Sequence, residues 1–298
     1  MVSTRTSQLK RQISPQKTKS KGKEPPRVFS ITSGKGGVGK TNIAGNLAVA
    51  FTELGKNVVI FDADLGLANI DIIFNVHPPY NISNVISGEK KLAEIMVEVT
   101  PGIRIIPAGS GFANLTYLTD GQKLNLLTEF DEIGDKIDIF IIDTGAGISS
   151  NVLYFNLAAD DCILIATPEP TSITDAYAMT KVMSQQHNTK HFKLLVNMVE
   201  NVEEAKKVYK NLVNAADKFL HDVVIEYLGY IPYDNSLKMS VRNRTPVMKM
   251  YPDSASSKSI KKIAGDLIKS ARRFDSDGNI KFFFKRYIEE RLSHGSNI

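Results

Sequence analysis

At 298 residues, the chain is long enough for one large α/β domain with appended tails. A content of 42% hydrophobic and 23% charged residues with 12 prolines is that of a soluble globular protein, which excludes collagen-like, coiled-coil and wholly disordered chains. The net charge of +5 is unevenly spread, because residues 1–27 hold eight lysines and arginines against Glu24, a net +7, and leave −2 for the remainder.

Residues 1–27 have few apolar side chains with which to offset the entropy of ordering, and they read as a flexible basic arm. Such an arm is either a solvated tail or a handle for an acidic partner, nucleic acid or anionic lipid. No apolar run approaches the roughly 18 residues that span a bilayer, and no apolar stretch near Met1 precedes a cleavage site. The expectation is a cytoplasmic protein. Cys162 is the single cysteine and cannot form an internal disulfide or a thiolate pair for a cluster. His187 and His191 stand four apart but flank the turn-like Asn188-Thr189 and lack the glutamate of a zinc-protease helix.

From Val28 onward, short apolar runs alternate with longer helical patterns. Residues 28–32, 57–61, 103–107, 137–142, 162–166, 193–199 and 225–230 read as buried strands. Helices are expected at 41–54, 122–132, 174–186, 202–220 and 256–273. Continuous apolar strands separated by helices imply a mostly parallel sheet covered on both faces, with ligands at the carboxyl ends of the strands. The core domain is read as residues 28–274, closed by the polar breaker Asp275-Ser276-Asp277-Gly278.

The first strand runs into Gly34-Lys35-Gly36-Gly37-Val38-Gly39-Lys40-Thr41, which fits G-x-x-x-x-G-K-[ST] and opens a helix. Glycines at 34, 36, 37 and 39 let the backbone curl with its N–H groups inward, an anion nest reinforced by the helix N-terminus. Lys40 is placed to neutralise terminal phosphates, and the Thr41 hydroxyl to ligate Mg²⁺. Two further strands deliver carboxylates to the same rim. One ends in Asp62-Ala63-Asp64, the other in Asp143-Thr144-Gly145-Ala146-Gly147. Asp143 ends an apolar run in the manner of a Walker B carboxylate that holds Mg²⁺, Asp62 is read as part of the Mg²⁺ shell, and Asp64 as orienting the attacking water. Asn197 ends another strand, where its amide can pair with the edge of adenine or cap a turn.

The second lysine inside the loop, Lys35, departs from an ordinary P-loop. With Gly36-Gly37-Val38-Gly39-Lys40-Thr41 it resembles the deviant Walker A signature of the MinD/ParA family of P-loop ATPases. That resemblance implies ATP and Mg²⁺ as cofactors, an ATP-dependent homodimer, and a role for Lys35 at the partner protomer's phosphates. It also supports Asn197 and Pro232, in Ile231-Pro232-Tyr233-Asp234, as base-binding residues. Iron-sulfur members of the family need cysteine pairs, which one Cys162 does not supply, and ligase-like members have no need of the tails. The segment Pro168-Glu169-Pro170-Thr171-Ser172-Ile173-Thr174-Asp175-Ala176-Tyr177 resembles the FlhG branch, which governs flagellar number and placement. Its partners are flagellar proteins such as the GTPase FlhF or a regulator or switch component. The Asp-Gln-Ala-x-x-Leu-Arg motif common at the start of that branch is not matched by Thr6-Ser7-Gln8-Leu9-Lys10-Arg11.

Beyond the core, residues 279–293 put Ile280, Phe283, Phe284, Tyr287, Ile288 and Leu292 on one side of a helix, with Phe282 and Arg291 off the pattern. This segment reads as an amphipathic helix for an anionic membrane surface, as one docked on the core, or as both in turn, docked without ATP and released with it. The whole is an expected α/β P-loop NTPase with a C-terminal amphipathic helix, a reversible peripheral membrane switch. The rival is a ParA-like protein that grips nonspecific DNA through the arm, Arg242, Arg244, Lys261 and Lys262.

Overall fold

Seven apolar runs and one short hairpin strand assemble into a single sheet in the computed structural model, which describes residues 24–65, 69–109, 118–272 and 281–283. The strands are β1 (Arg27–Ser33), β2 (Val58–Ala63), β3 (Val97–Thr100), β4 (Ile103–Ile106), β5 (Ile139–Ala146), β6 (Asp161–Ala166), β7 (His191–Val199) and β8 (Val224–Pro232). Their order across the sheet is β3-β4-β2-β5-β1-β6-β7-β8. Every pairing is parallel except β3 with β4.

The central strands β1, β2, β5 and β6 are buried almost throughout, the pattern of strands covered on both faces. β1 lies between β5 and β6; its own crossover runs to β2 on the β5 side, while β5 crosses to β6 on the other, and these opposed connections open a crevice at its carboxyl end.

One face carries α1 (Lys40–Glu53) and α11 (Ala255–Lys269), whose Leu47, Phe51, Ile260, Ile263 and Leu267 share a core with Phe29, Ile31 and Ile60. On the other lie α5 (Asp120–Ile133) and α6 (Ser150–Leu157) over β2 and β5. There too are α7 (Pro170–His187) and α8 (Val202–Phe219) over β6 and β7.

Local chemistry sets the helix ends. Pro170 occupies the first turn of α7, where its missing N–H is no loss, and Asn188 closes that helix in the left-handed region at φ 57°. The Asn201 side chain accepts from the Glu204 N–H at 2.9 Å, and Glu203 and Glu204 complement the dipole of α8. Burial of Ala205, Val208, Leu212 and Ala216 leaves its lysines facing outward.

Short elements complete the fold: α2 (Ile70–Ile73), α3 (Ile82–Ile86), α4 (Leu92–Ile95), α9 (Asn235–Arg242) and α10 (Val247–Met250).

The C-terminal segment departs from its expected apolar stripe. Phe282 and Phe283 are fully buried, and Phe282 meets Phe130 edge-to-face at 4.8 Å and Phe140 at 5.6 Å. Phe283, expected on a membrane face, instead stacks edge-on against Phe140 at 5.5 Å, while Phe282, off the stripe, sits at the centre of the cluster. A pocket already lined by aromatic rings outcompetes helical periodicity here. Ile280, Phe284, Tyr287, Ile288 and Leu292 lie outside the described residues. Among the described residues no helix is long and apolar enough to cross a membrane.

Candidate nucleotide site

The loop from Gly34 to Gly39 sits at the carboxyl end of β1 and turns into α1 through Gly39, which is left-handed at φ 93°. Glycine is required there twice over. An L side chain is strained at that φ, and a Cβ would stand 2.6 Å from the Asn197 amide nitrogen. At Gly34 a Cβ would meet the Asp175 carbonyl oxygen at 2.2 Å, so the start of the loop lies directly on the backbone of α7.

Lys40 and Lys35, one on each side of this loop, have different surroundings. Lys40 is buried and donates to the Ser33 hydroxyl at 3.1 Å; Ser33 in turn donates to the Lys35 carbonyl at 2.6 Å. Burial lowers the Lys40 ammonium from its ordinary pKa, against the pull of Asp143 and Asp64. Lys35 is partly exposed and turns away, its ammonium hydrogen-bonded to Thr171 Oγ1 at 2.9 Å and ion-paired with Glu169. Glu169 and Thr171 are neighbours of Lys35 that sequence reasoning missed, although the Pro-Glu-Pro-Thr segment that carries them stood out as a family marker.

β5 pairs with β2 so that Asp143 lies beside Asp62 in register, and Asp143 also aligns with Ile31 of β1. Burial pushes the Asp143 carboxyl up to about 7, opposed by its hydrogen bond to Thr41 and by Lys40. One of its oxygens, Oδ1, is buried with no hydrogen-bond partner. A buried carboxylate with an orphaned oxygen beside a threonine hydroxyl fits a hydrated divalent cation, whose charge would reverse the cost of burial. Thr41 and Asp143 are therefore the residues that can hold Mg²⁺.

Asp62 has another task. Its Oδ1 accepts the Asp64 N–H at 3.2 Å, and its Oδ2 accepts the N–H groups of Asn69 at 2.9 Å and Ile70 at 3.1 Å. The expected Mg²⁺-shell carboxylate thus closes the loop between β2 and α2. Burial, then the neighbouring Asp143, raises its pKa well above the ordinary value. Asp64 lines the cleft and approaches Gly145, where an added Cβ would lie 3.5 Å from its carboxyl carbon.

Asn197 is buried, and its amide nitrogen donates to the Val38 carbonyl at 2.8 Å. That bond pins the phosphate loop with one of the two amide N–H groups. Pro232 lines the same cleft, of about 840 Å³, together with Gly36, Gly37, Gly39, Lys40 and Thr41. The cleft continues past Met198 and Tyr233 to Leu237 and Val241 on α9, an apolar wall suited to a planar base. Leu237 and Val241 were not legible as lining the cleft, because nothing in an eight-residue polar-apolar helix announces what it faces.

A glycine anion nest at the carboxyl edge of a parallel sheet, with a buried lysine, a cation-suited carboxylate and an apolar annex, defines a P-loop nucleotide-binding protein. Comparison with known proteins gives the family. Residues 25–268 match the ParA family model described as NUBPL iron-transfer P-loop NTPase. The antiactivator FleN of Pseudomonas aeruginosa is 37% identical over 265 residues, covering 89% of this chain and 94% of that protein. The flagellum site-determining protein YlxH of Helicobacter pylori is 38% identical over 267 residues, covering 88% and 90%. The septum site-determining protein MinD of Pyrococcus horikoshii, solved in complex with Mg-ADP, has the same fold, with a TM-score of 0.66 at 24% identity over 82% of this chain and 96% of its own. The chain belongs to the ParA/MinD family of P-loop NTPases.

Proposed function

We propose that the protein is an ATP-dependent dimerising switch that hydrolyses ATP slowly, binds an anionic membrane reversibly and regulates flagellar number or placement. The observation that carries the switch is the position of Lys35. Its own cradle is completed by Lys40, and Lys35 stands outside the cleft on the exposed Glu169 and Thr171, from which its ammonium would exchange onto a second protomer's phosphates.

In this reading the backbone N–H groups from Gly34 to Gly39 and the Lys40 ammonium bind the phosphates, and Thr41 with Asp143 holds Mg²⁺. The bound cation supplies charge neutralisation at the phosphate oxygens. Asp64 orients the attacking water from the rim, and Asp62 fixes the loop on which Asp64 stands. Tyr233, Leu237 and Val241 exclude water from the base. The flagellar output rests on the likeness to FleN and YlxH, and its recipients would be flagellar proteins such as FlhF or a regulator.

The membrane contact rests on residues 284–292, since Phe283 is part of the core. The DNA-gripping alternative keeps exposed Arg242 and Arg244. Lys261 and Lys262, however, are already paired with Glu53 and Asp266, each at 3.2 Å.

The test is sedimentation of the Asp64→Ala protein in saturating Mg-ATP, alone and with anionic vesicles. A trapped dimer that pellets with lipid is the expected result. A monomer under both conditions would refute the switch.

A further inference from the structure

β1 leads into the phosphate loop and β5 carries the cation carboxylate, and the pairing of these two strands is interrupted near the ends that meet the ligand. Ile31 pairs with Asp143 but Ser33 with Ala146, so two steps along β1 answer to three along β5, and the Thr144-Gly145 stretch holds one residue too many. A bulge of this kind leaves a residue without its ladder partner and bends the strand that carries it. Backbone pairing resumes only at the Gly147 N–H, which donates to the Ser33 carbonyl at 3.0 Å.

Side chains span the break. From α6, the Asn156 amide nitrogen donates to Thr32 Oγ1 at 3.0 Å. The Thr32 and Thr144 hydroxyls are hydrogen-bonded at 3.0 Å, and Thr144 Oγ1 donates to the Ile31 carbonyl at 3.1 Å. All three side chains are at most 3% exposed. Thr32 stands two residues ahead of Gly34, Thr144 directly follows Asp143, and the next residue, Gly145, faces Asp64. Packing does not call for an amide at position 156. Its neighbour Phe155 belongs to the aromatic cluster, and Asn156 Oδ1 is buried with no hydrogen-bond partner, a burden that an apolar side chain of similar volume would not carry.

We infer that Asn156 is a positioning residue for cation binding, which acts through the Thr32 and Thr144 hydroxyls to fix the spacing between the phosphate loop and the Asp143 carboxyl across the bulge. The inference rests on the assignment of Mg²⁺ to Thr41 and Asp143 above. Asn156 does not line the nucleotide cleft, so its influence passes through the two strands. A nucleotide alone needs only the loop at the end of β1. A nucleotide with its cation must be met by both strands at one spacing, and the backbone ladder that would set it is missing at Thr32. Groups that orient a metal ligand from behind change metal affinity about 10–100-fold when they are removed.

The test measures melting temperature and the affinity for a fluorescent, nonhydrolysable ATP analogue, in Mg²⁺ and in EDTA, on full-length proteins. The variants are Thr32→Val, Asn156→Leu and the two combined. Each single change strands a buried polar partner and should lower the melting temperature, whereas the double change removes both partners, leaves Thr144 its Ile31 carbonyl, and should restore it. The expected result is a double variant that melts near wild type, binds the analogue about tenfold more weakly in Mg²⁺, and stays within about twofold of wild type in EDTA. Recovery of Mg²⁺-dependent affinity together with the melting temperature would make the bridge structural only and overturns the inference. An equal loss in Mg²⁺ and EDTA overturns it too, since the loop itself would then be disturbed. Should the double variant fail to fold, Thr144→Ser, which keeps the hydroxyl, is compared with Thr144→Val, which removes it. Wild-type affinity in the first and a Mg²⁺-specific loss in the second support the bridge, and equal affinities overturn it. A wild-type affinity that is the same in Mg²⁺ and in EDTA overturns the cation assignment, and the inference with it.

Discussion

Lys35 donates to Thr171 Oγ1 at 2.9 Å across 136 positions of sequence, which fastens the second lysine of the phosphate loop to the first turn of α7. Both this bond and the companion ion pair to Glu169 are exposed, with the Glu169 side chain 63% accessible. Exposed pairs contribute about 0–1 kcal/mol, so Thr171→Ala or Glu169→Gln should change unfolding free energy by less than about 1 kcal/mol. Lys35→Ala should leave ATP affinity within about threefold, roughly 0.7 kcal/mol, of wild type, because the cradle is filled by Lys40. Its ATP-dependent dimerisation should be lost. Equilibrium dialysis and sedimentation velocity on the same samples check the pair of outcomes.

Asp143→Asn should separate stability from cation binding. Burial holds the Asp143 carboxyl near 7 and one of its oxygens is orphaned, so a neutral isostere relieves an electrostatic cost in the folded chain. The expected result is a melting temperature equal to or above wild type in the absence of Mg²⁺, together with at least tenfold loss, about 1.4 kcal/mol, in Mg²⁺-dependent nucleotide affinity. Calorimetry with and without the cation distinguishes the two effects.

Phe282→Ala should destabilise the protein by about 3 kcal/mol, since the ring is fully buried and packs against Phe130, Phe140 and Phe155. Denaturant unfolding is the measurement. A change below about 0.5 kcal/mol, the range of ordinary surface substitutions, would show that residues 281–283 are not part of the core in solution.

Asp234 gives a pH-dependent contribution. Burial alone would raise its carboxyl, but hydrogen bonds from Ser256 and Ser236 prevail and hold it below its ordinary value of 3.8. A group depressed in the folded state stabilises fully above the unfolded value, and that stabilisation is lost as pH falls through the lower folded value. As Asp234 caps α9 and anchors Ser256, Asp234→Ala should cost about 1 kcal/mol at pH 7. The gap between the two proteins should close below about pH 4, which melting curves across that range will show.

The parallel sheet and the phosphate loop were legible because their signals are local: β-branched apolar runs, and glycines that only a tight anion nest requires. β1, β2, β5 and β6 fell within a few residues of their expected bounds for that reason. The strand Val97–Thr100 was missed, being four residues long and paired antiparallel through a turn at Pro101-Gly102. The helices from Ile70 to Ile95 are too short for a 3.6-residue period to register.

At the site, spacing placed Asp62 and Asn197 on the rim but could not say which of their atoms are already bonded. Three backbone N–H groups bond Asp62 and the Val38 carbonyl takes one N–H of the Asn197 amide, and these partners stand where only the fold places them. Phe283 was placed on the lipid-facing stripe because an aromatic residue near a chain end has the same pattern whether it faces lipid or a ring-lined pocket.

Arg27 and Ser33 are the two ends of one seven-residue strand, about 20 Å apart at the usual rise. A buried extended strand is stiff, so a displacement at the loop is not absorbed in β1 and is passed on to Arg27. The flanking helices offer further routes. Two touch the ends of that strand: α7, where Asp175 presses on Gly34, and α11, whose last carbonyls are gripped by Arg27.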